Sequence, residues 1–177
     1  KLYAAEAAAS VRMSFADKAN FALQVGGMIV NDVVFLALWA LFFAGFRSVG
    51  GWGMADVALL LGLTMCIVGL AGALAGGYRD MAGSIVRGEL DGLLIQPAGL
   101  IARLLARESI ATAWGDLVCG VVVLALFAQV RWEQAPLLVL AVGAGATVYV
   151  SAAISFASLA FWAGGARSFA RDLTDFT

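Results

Sequence analysis

Four long apolar runs dominate this sequence and restrict the folds that it can adopt. They cover residues 24 to 46, 57 to 77, 109 to 130 and 137 to 164. A helix that crosses a hydrocarbon core about 30 Å thick needs about twenty apolar residues. Each run meets this length, and the fourth is long enough to tilt or bend. The sequence therefore predicts an all-α fold, a polytopic bundle of transmembrane helices.

The overall composition agrees with an integral membrane protein. Hydrophobic residues make up 63% of the 177 residues and charged residues 13%, whereas about a quarter of a soluble domain is charged. A net charge of −1 argues against a nucleic-acid binder. Several apolar runs follow the first, so a cleaved signal peptide does not explain them.

The residue inventory excludes most catalytic and metal chemistry. Histidine is absent, and two cysteines, Cys66 and Cys119, lie inside apolar runs. Zinc sites and Ser-His or Cys-His dyads therefore have no residues to build them. The cysteines could form a disulfide, but two buried free thiols are the favoured interpretation. Neither Lys1 nor Lys18 follows a glycine-rich turn, so we expect ATP and Mg to be bound by another subunit and no cofactor by this chain.

Residues 1 to 18 predict an amphipathic helix ahead of the first span. Its apolar residues recur every four positions, and its polar residues fall on a different side. The apolar set is Tyr3, Ala7, Val11 and Phe15, and the polar set is Glu6, Ser10 and Ser14. Such a helix suits the plane of the membrane interface; the alternative is a solvent-exposed leader helix.

The basic residues predict the orientation of the spans, because cytoplasmic loops retain lysine and arginine. Nine of the eleven lie in the leader, in the loop between spans two and three, and in the tail after span four. The two other connections hold only Arg47 and Arg131. We therefore expect both ends and the long middle loop, residues 78 to 107, to face the cytoplasm.

Small residues recur at intervals of four along the second and fourth spans. The repeats are Gly69, Ala73 and Gly77, then Gly72 and Gly76, and finally Gly143, Thr147, Ser151 and Ser155. Small residues let helix backbones approach closely in lipid. We interpret these faces as helix-packing surfaces rather than substrate sites.

Two acidic residues, Asp32 and Asp116, lie within predicted spans, where an ionisable group is costly and often functional. Each precedes an arginine by fifteen residues, which is about 22 Å of helix. With those arginines at the outer surface, both acids would sit about 8 Å inside the inner boundary of the core. Two interpretations stay open, a cytoplasm-facing cavity lined by both acids or a role in helix packing.

The middle loop predicts a short charged helix followed by a break. Asp80, Ser84, Arg87, Glu89 and Asp91 supply its polar side, and Met81, Ile85, Leu93 and Leu94 its apolar side. Pro97 would end this helix and open a second, amphipathic one that leads into span three. The alternative is a loop whose charges only contact water.

The stretch RGELDGLLIQPAGLIARLLARE resembles the cytoplasmic signature of bacterial ABC-transporter permeases of the type 2 exporter class, in the branch that carries G-E-L-D. The later SLAFWAGGARSFARDLTDF is similar to the end of the fourth span in that branch. The resemblance implies a multi-pass permease of the bacterial inner membrane with its N-terminus in the cytoplasm. This subunit would form half of a substrate pathway, paired with a second permease chain, identical or homologous, and with ABC ATPase subunits.

In that class the loop between spans two and three forms a coupling helix that docks on the ATPase. By resemblance, the loop 78–97 would take this role in the present chain. The residues that match the motif are Arg87, Gly88, Glu89, Leu90, Asp91 and Pro97. They would form or brace the contact with the ATPase.

One departure and two alternatives accompany this resemblance. Permeases of this class have six spans, whereas residues 1–177 form one transmembrane domain of four, so we expect a fragment of a six-span permease. An ion-coupled secondary transporter would use acids near the midplane, and Asp32 and Asp116 are its candidates. An accessory membrane subunit without an ATPase partner is the other alternative.

Overall fold

The computed structural model describes residues 2–87, 99–128 and 131–158, and within these ranges it contains helices and no strand. The described ranges contain seven α-helices. They are α1 (Leu2–Ser14), α2 (Lys18–Gly45), α3 (Met54–Ala75), α4 (Met81–Val86), α5 (Leu100–Ala106), α6 (Ala111–Leu126) and α7 (Ala135–Ser158), with 3-10 turns at Gly76–Tyr78 and Trp132–Gln134. The predicted all-α membrane bundle is confirmed.

Among the described residues, three helices are long and apolar enough to cross a membrane, namely α2, α3 with its extension to Ser84, and α7, and the bent pair of α5 and α6 is a fourth if it forms one span. The third predicted span differs from the other three. Its helix, α6, has 16 residues, about 24 Å, and α5 precedes it at an angle of 79°. The break falls at residues 107–110, where Ile110 has an extended backbone with φ −83° and ψ 119°.

The first span begins earlier than its apolar run. Helix α2 starts at Lys18 because Asp17 caps it: Oδ1 of Asp17 accepts a hydrogen bond from the backbone N–H of Asn20 at 3.1 Å. Such a cap satisfies one of the unpaired N–H groups of a helix start. At the other end a tight turn at Gly50 and Gly51, with φ 61° and 88°, leads to α3.

The centre of the bundle is a close contact between α3 and α6, flanked by α2 on α6 and by α7 on α3. Glycine makes this contact. A Cβ added at Gly69 would lie 2.6 Å from the backbone N of Leu117, and one at Gly120 would lie 2.8 Å from the backbone N of Cys66. These glycines let the helices approach closely in lipid, where no hydrophobic force drives helices together. The packing role predicted for Gly69, Gly72 and Gly76 is therefore confirmed.

The small-residue repeat of α7 behaves differently. Thr147, Ser151 and Ser155 are exposed, and open space surrounds the Cβ position of Gly143. Helix α7 instead meets α3 through Gly145, whose added Cβ would lie 2.5 Å from Cδ1 of Ile67. The described part of α7 does not pack this repeat against its own chain, and the helix-packing role of the repeat stays a prediction.

Both cysteines are buried and free, as the favoured interpretation predicted. Cys66 lies on α3 and Cys119 on α6, next to the glycines of the central contact. Cys66 acts as a small apolar side chain in this interface, whereas the side chain of Cys119 also meets that of Asp32.

We expect Gly69→Ala to destabilise the bundle by about 1–3 kcal/mol, because the new methyl group meets backbone atoms that no rotamer change can move away. Gly143→Ala is the matched control, since it adds the same methyl group to open space and gains helix propensity. Thermal unfolding of both variants in the same detergent measures the difference. Equal midpoints would contradict the proposed importance of the α3–α6 contact.

Candidate functional site

The predicted coupling residues fall at the edge of the described structure. Gly88, Glu89, Leu90, Asp91 and Pro97 lie outside the described residues, so their role stays a prediction. Arg87 follows α4 directly and is half-exposed.

The guanidinium group of Arg87 forms an ion pair with the carboxylate of Asp80, and its Nη2 donates to Oγ of Ser84 at 3.3 Å. Both side chains of the ion pair are at least half exposed, so the pair adds little stability. The ion pair does hold the side chain of Arg87 beside Asp80 and Ser84, along one side of α4. The predicted polar side of this helix is therefore present up to Arg87.

The two segments that flank residues 88–98 meet each other, and we call residues 76–87 and 99–110 together the stem. A Cβ added at Gly77 would collide with the carbonyl oxygen of Leu104, and one at Gly76 would lie 2.7 Å from the carbonyl oxygen of Glu108. The backbone N–H of Ile110 donates to the carbonyl of Gly72 at 3.0 Å. The stem is thus built by direct backbone contact between the ends of α3 and α6.

The apolar side of the stem packs on α7. Met81 and Leu104 form a buried cluster with Ala157. Tyr78 is buried against Ala146, and its ring meets the ring of Tyr149 edge-on at 5.6 Å. These contacts join the stem to a third membrane helix.

The polar side of the stem borders an open cavity of about 260 Å³. Its lining residues are Gly77, Asp80, Ser84, Leu104, Arg107 and Glu108. Carboxylate and guanidinium groups on one small surface favour water or a polar partner group over an apolar ligand. This cavity lies on the side of the stem that carries the ion pair of Arg87.

The leader helix α1 packs on the stem through its polar residues. Nε of Arg103 on α5 lies 3.1 Å from Oε1 of Glu6, and the hydroxyl of Ser14 donates to the carbonyl of Ser109 at 2.6 Å. Ser10 is buried, and Phe15 packs against Trp114 with ring centroids 5.8 Å apart. These contacts are not predictable from the sequence, because their partners lie about a hundred residues away and no local pattern links them.

The two acids predicted inside the spans come together. Asp32 on α2 and Asp116 on α6 are both buried, and their side chains interact directly. Asp116 lies about 8 Å along α6 from its first residue. Both residues stand out in the sequence, but their contact does not, because it depends on the packing of α2 against α6.

Within the described ranges no group of three His, Cys, Asp or Glu side chains is arranged to hold a metal ion. The site consists of packed helix ends and ion pairs. Such an arrangement can transmit movement between the loop and the membrane helices.

Comparison with known proteins supplies one match. Residues 29–175 match the family model described as ABC-2 family transporter protein. This range begins within α2 and includes the stem, the residues between its two segments and α7. No curated protein and no solved structure matches the chain.

We expect Arg103→Glu to loosen α1 from the stem, because it places a second carboxylate against Glu6 in a partly buried site. The contact between α1 and the stem should lose on the order of 1 kcal/mol of free energy, and the double variant Glu6→Arg with Arg103→Glu should recover part of this loss. The control is Arg131→Glu, which reverses a pair whose side chains are 73% and 78% exposed. The measurement is the rate of proteolysis at residues 15–17, and equal rates in the two single variants would contradict the contact.

Proposed function

Because the chain belongs to the ABC-2 transporter family as a membrane-spanning permease subunit, we propose that it serves an ATP-driven exporter and receives the movement of an ATPase through its loop 78–97. ATP and Mg are bound by the ATPase subunit. The permease converts the movement of the loop into a rearrangement of its spans.

The observation that carries this proposal is the stem. Its two segments touch through backbone atoms at Gly76 and Gly77, which leaves no flexible side chain between them. Each segment continues into a membrane helix, α3 on one side and α6 on the other. A force on the loop would therefore reach both helices with little loss, as a coupling element requires.

The charges of the loop fit a soluble partner. Arg87, Glu89 and Asp91 lie within five residues of one another in an otherwise apolar chain. Charged groups across an interface select the partner and fix its orientation. We propose that Arg87, Gly88, Glu89, Leu90, Asp91 and Pro97 form or brace the contact with the ATPase.

The outer faces of the bundle fit lipid and a second permease chain. Large apolar side chains are exposed on both flanking helices. Examples are Leu23, Leu38 and Leu41 on α2, and Leu137, Val139 and Val148 on α7. In our proposal these faces contact lipid and a second permease chain, identical or homologous, in the bacterial inner membrane, with the N-terminus in the cytoplasm.

Family membership favours ATP coupling over the ion-coupled secondary transporter and the accessory subunit considered above. The positions of Asp32 and Asp116 support the helix-packing interpretation of these acids. Both carboxyl groups are enclosed by their own chain in the described structure. A wide cavity lined by them would need α2 and α6 to separate.

We expect the double reversal Glu89→Arg with Asp91→Arg to lower the affinity for the ATPase more than about tenfold, because it inverts the charge of the docking surface. Co-purification of the ATPase with the tagged permease from the full transporter measures this loss. Glu133→Arg, an exposed reversal outside the loop, is the control. Unchanged co-purification with normal membrane insertion would refute the docking role.

We expect Gly77→Ala to uncouple the transporter without releasing the ATPase, because the methyl group pushes the two stem segments apart while leaving the loop residues unchanged. Gly99→Ala is the matched control, since it adds the same group to open space at the start of α5. The measurement is transport per ATP hydrolysed in reconstituted vesicles. A normal ratio for Gly77→Ala would show that stem rigidity is not needed.

A further inference from the structure

The contact between α2 and α6 contains a pair of acids that the proposed coupling mechanism does not use. Asp32 is 5% exposed and Asp116 is 6% exposed. Their side chains interact directly, and the side chain of Asp32 also meets those of Asn31 and Cys119. Two acids at this depth are costly unless something neutralises part of their charge.

The packing around the two acids limits which group could neutralise part of their charge. Gly115 precedes Asp116, and a Cβ added there would lie 2.9 Å from Cβ of Met28 and 3.0 Å from the carbonyl oxygen of Val25. The backbones of α2 and α6 are therefore almost in contact one residue from the pair. Such close packing of the two helices favours a proton, which needs no space, over an organic cation or a hydrated metal ion.

The hydrogen-bonding chemistry of two adjacent carboxyl groups also favours a bound proton. An ionised carboxylate only accepts hydrogen bonds, so two of them side by side repel each other, whereas one proton turns one of them into a donor. Oδ2 of Asp32 is buried and has no hydrogen-bond partner within the described part of the chain. An enclosed acceptor beside a second carboxyl group is a place where a proton can be held.

We infer that Asp32 and Asp116 share one bound proton and that this proton holds α2 against α6. The titratable and charged groups that act on the pair are Cys119 on α6 and Arg79 after α3. Loss of the proton as the pH rises leaves two negative charges in contact and separates the helices. The inference does not depend on ATPase docking or on the direction of transport.

Infrared difference spectroscopy of the full transporter in lipid nanodiscs tests the proton directly. The wild type should show the carbonyl band of a protonated carboxyl group, and this band should disappear as the pH is raised. Asp32→Asn and Asp116→Asn should each lack this band, because an amide N–H then donates to an ionised partner. Asp56→Asn, which removes an acid at the start of α3, should retain it. Absence of the band in the wild type, or its survival in both pair variants, would overturn the assignment.

A distance measurement on protein with both acids intact tests the mechanical consequence. Spin labels at Val34→Cys on α2 and Val121→Cys on α6 use exposed positions, whereas the native cysteines are buried. The distance between labels should widen over the pH range in which the carboxyl band disappears, and it should stay constant when Asp116→Asn is added. A constant distance in the labelled protein with both acids would refute the proton-dependent contact. If the distance instead changes with Na⁺ concentration at fixed pH, a metal ion and not a proton holds the two helices together. That result would also refute the proton-dependent contact.

Discussion

Direct contact between the backbones of α3 and α6 sets the geometry of the whole chain. Lipid tails are as apolar as leucine, so burial from water cannot hold two spans together inside the membrane. Close approach at Gly69 and Gly120 supplies dispersion contacts instead. Since α3 runs into the turn at Gly76–Tyr78 and α6 begins beside it, the same contact also fixes both segments of the stem.

The break before α6 depends on this arrangement. A turn of 79° between two helices leaves backbone groups without helical partners, and such groups are costly in a membrane. Two hydrogen bonds satisfy some of these backbone groups. The backbone N–H of Ile110 donates to the carbonyl of Gly72, and the hydroxyl of Ser14 donates to the carbonyl of Ser109. The leader helix therefore stabilises the break as well as covering it.

The bundle combines a tightly built centre with more loosely covered flanks. At the centre, α3 and α6 join the stem and would move with the loop. On one flank, α2 meets α6 at Gly115 and at the Asp32–Asp116 pair, while much of its surface is exposed. A transporter needs such a division, because rigid parts transmit force and weaker contacts rearrange. The acid pair lies in one of these contacts, where a single charge can change the balance between packed and separated helices.

The sequence by itself determined the helical membrane fold and the close packing at Gly69, Gly72 and Gly76, because apolar length and the spacing of small residues are local patterns. It also identified Asp32, Asp116 and the charged loop as unusual. Only the tertiary structure decided that the two acids meet and that the polar side of α1 faces Arg103 and Ser109. It also decided that α5 meets α6 at an angle of 79° and that the small-residue repeat of α7 stays exposed. Each of these depends on which helix lies beside which, and that choice is made by packing between residues far apart in the chain.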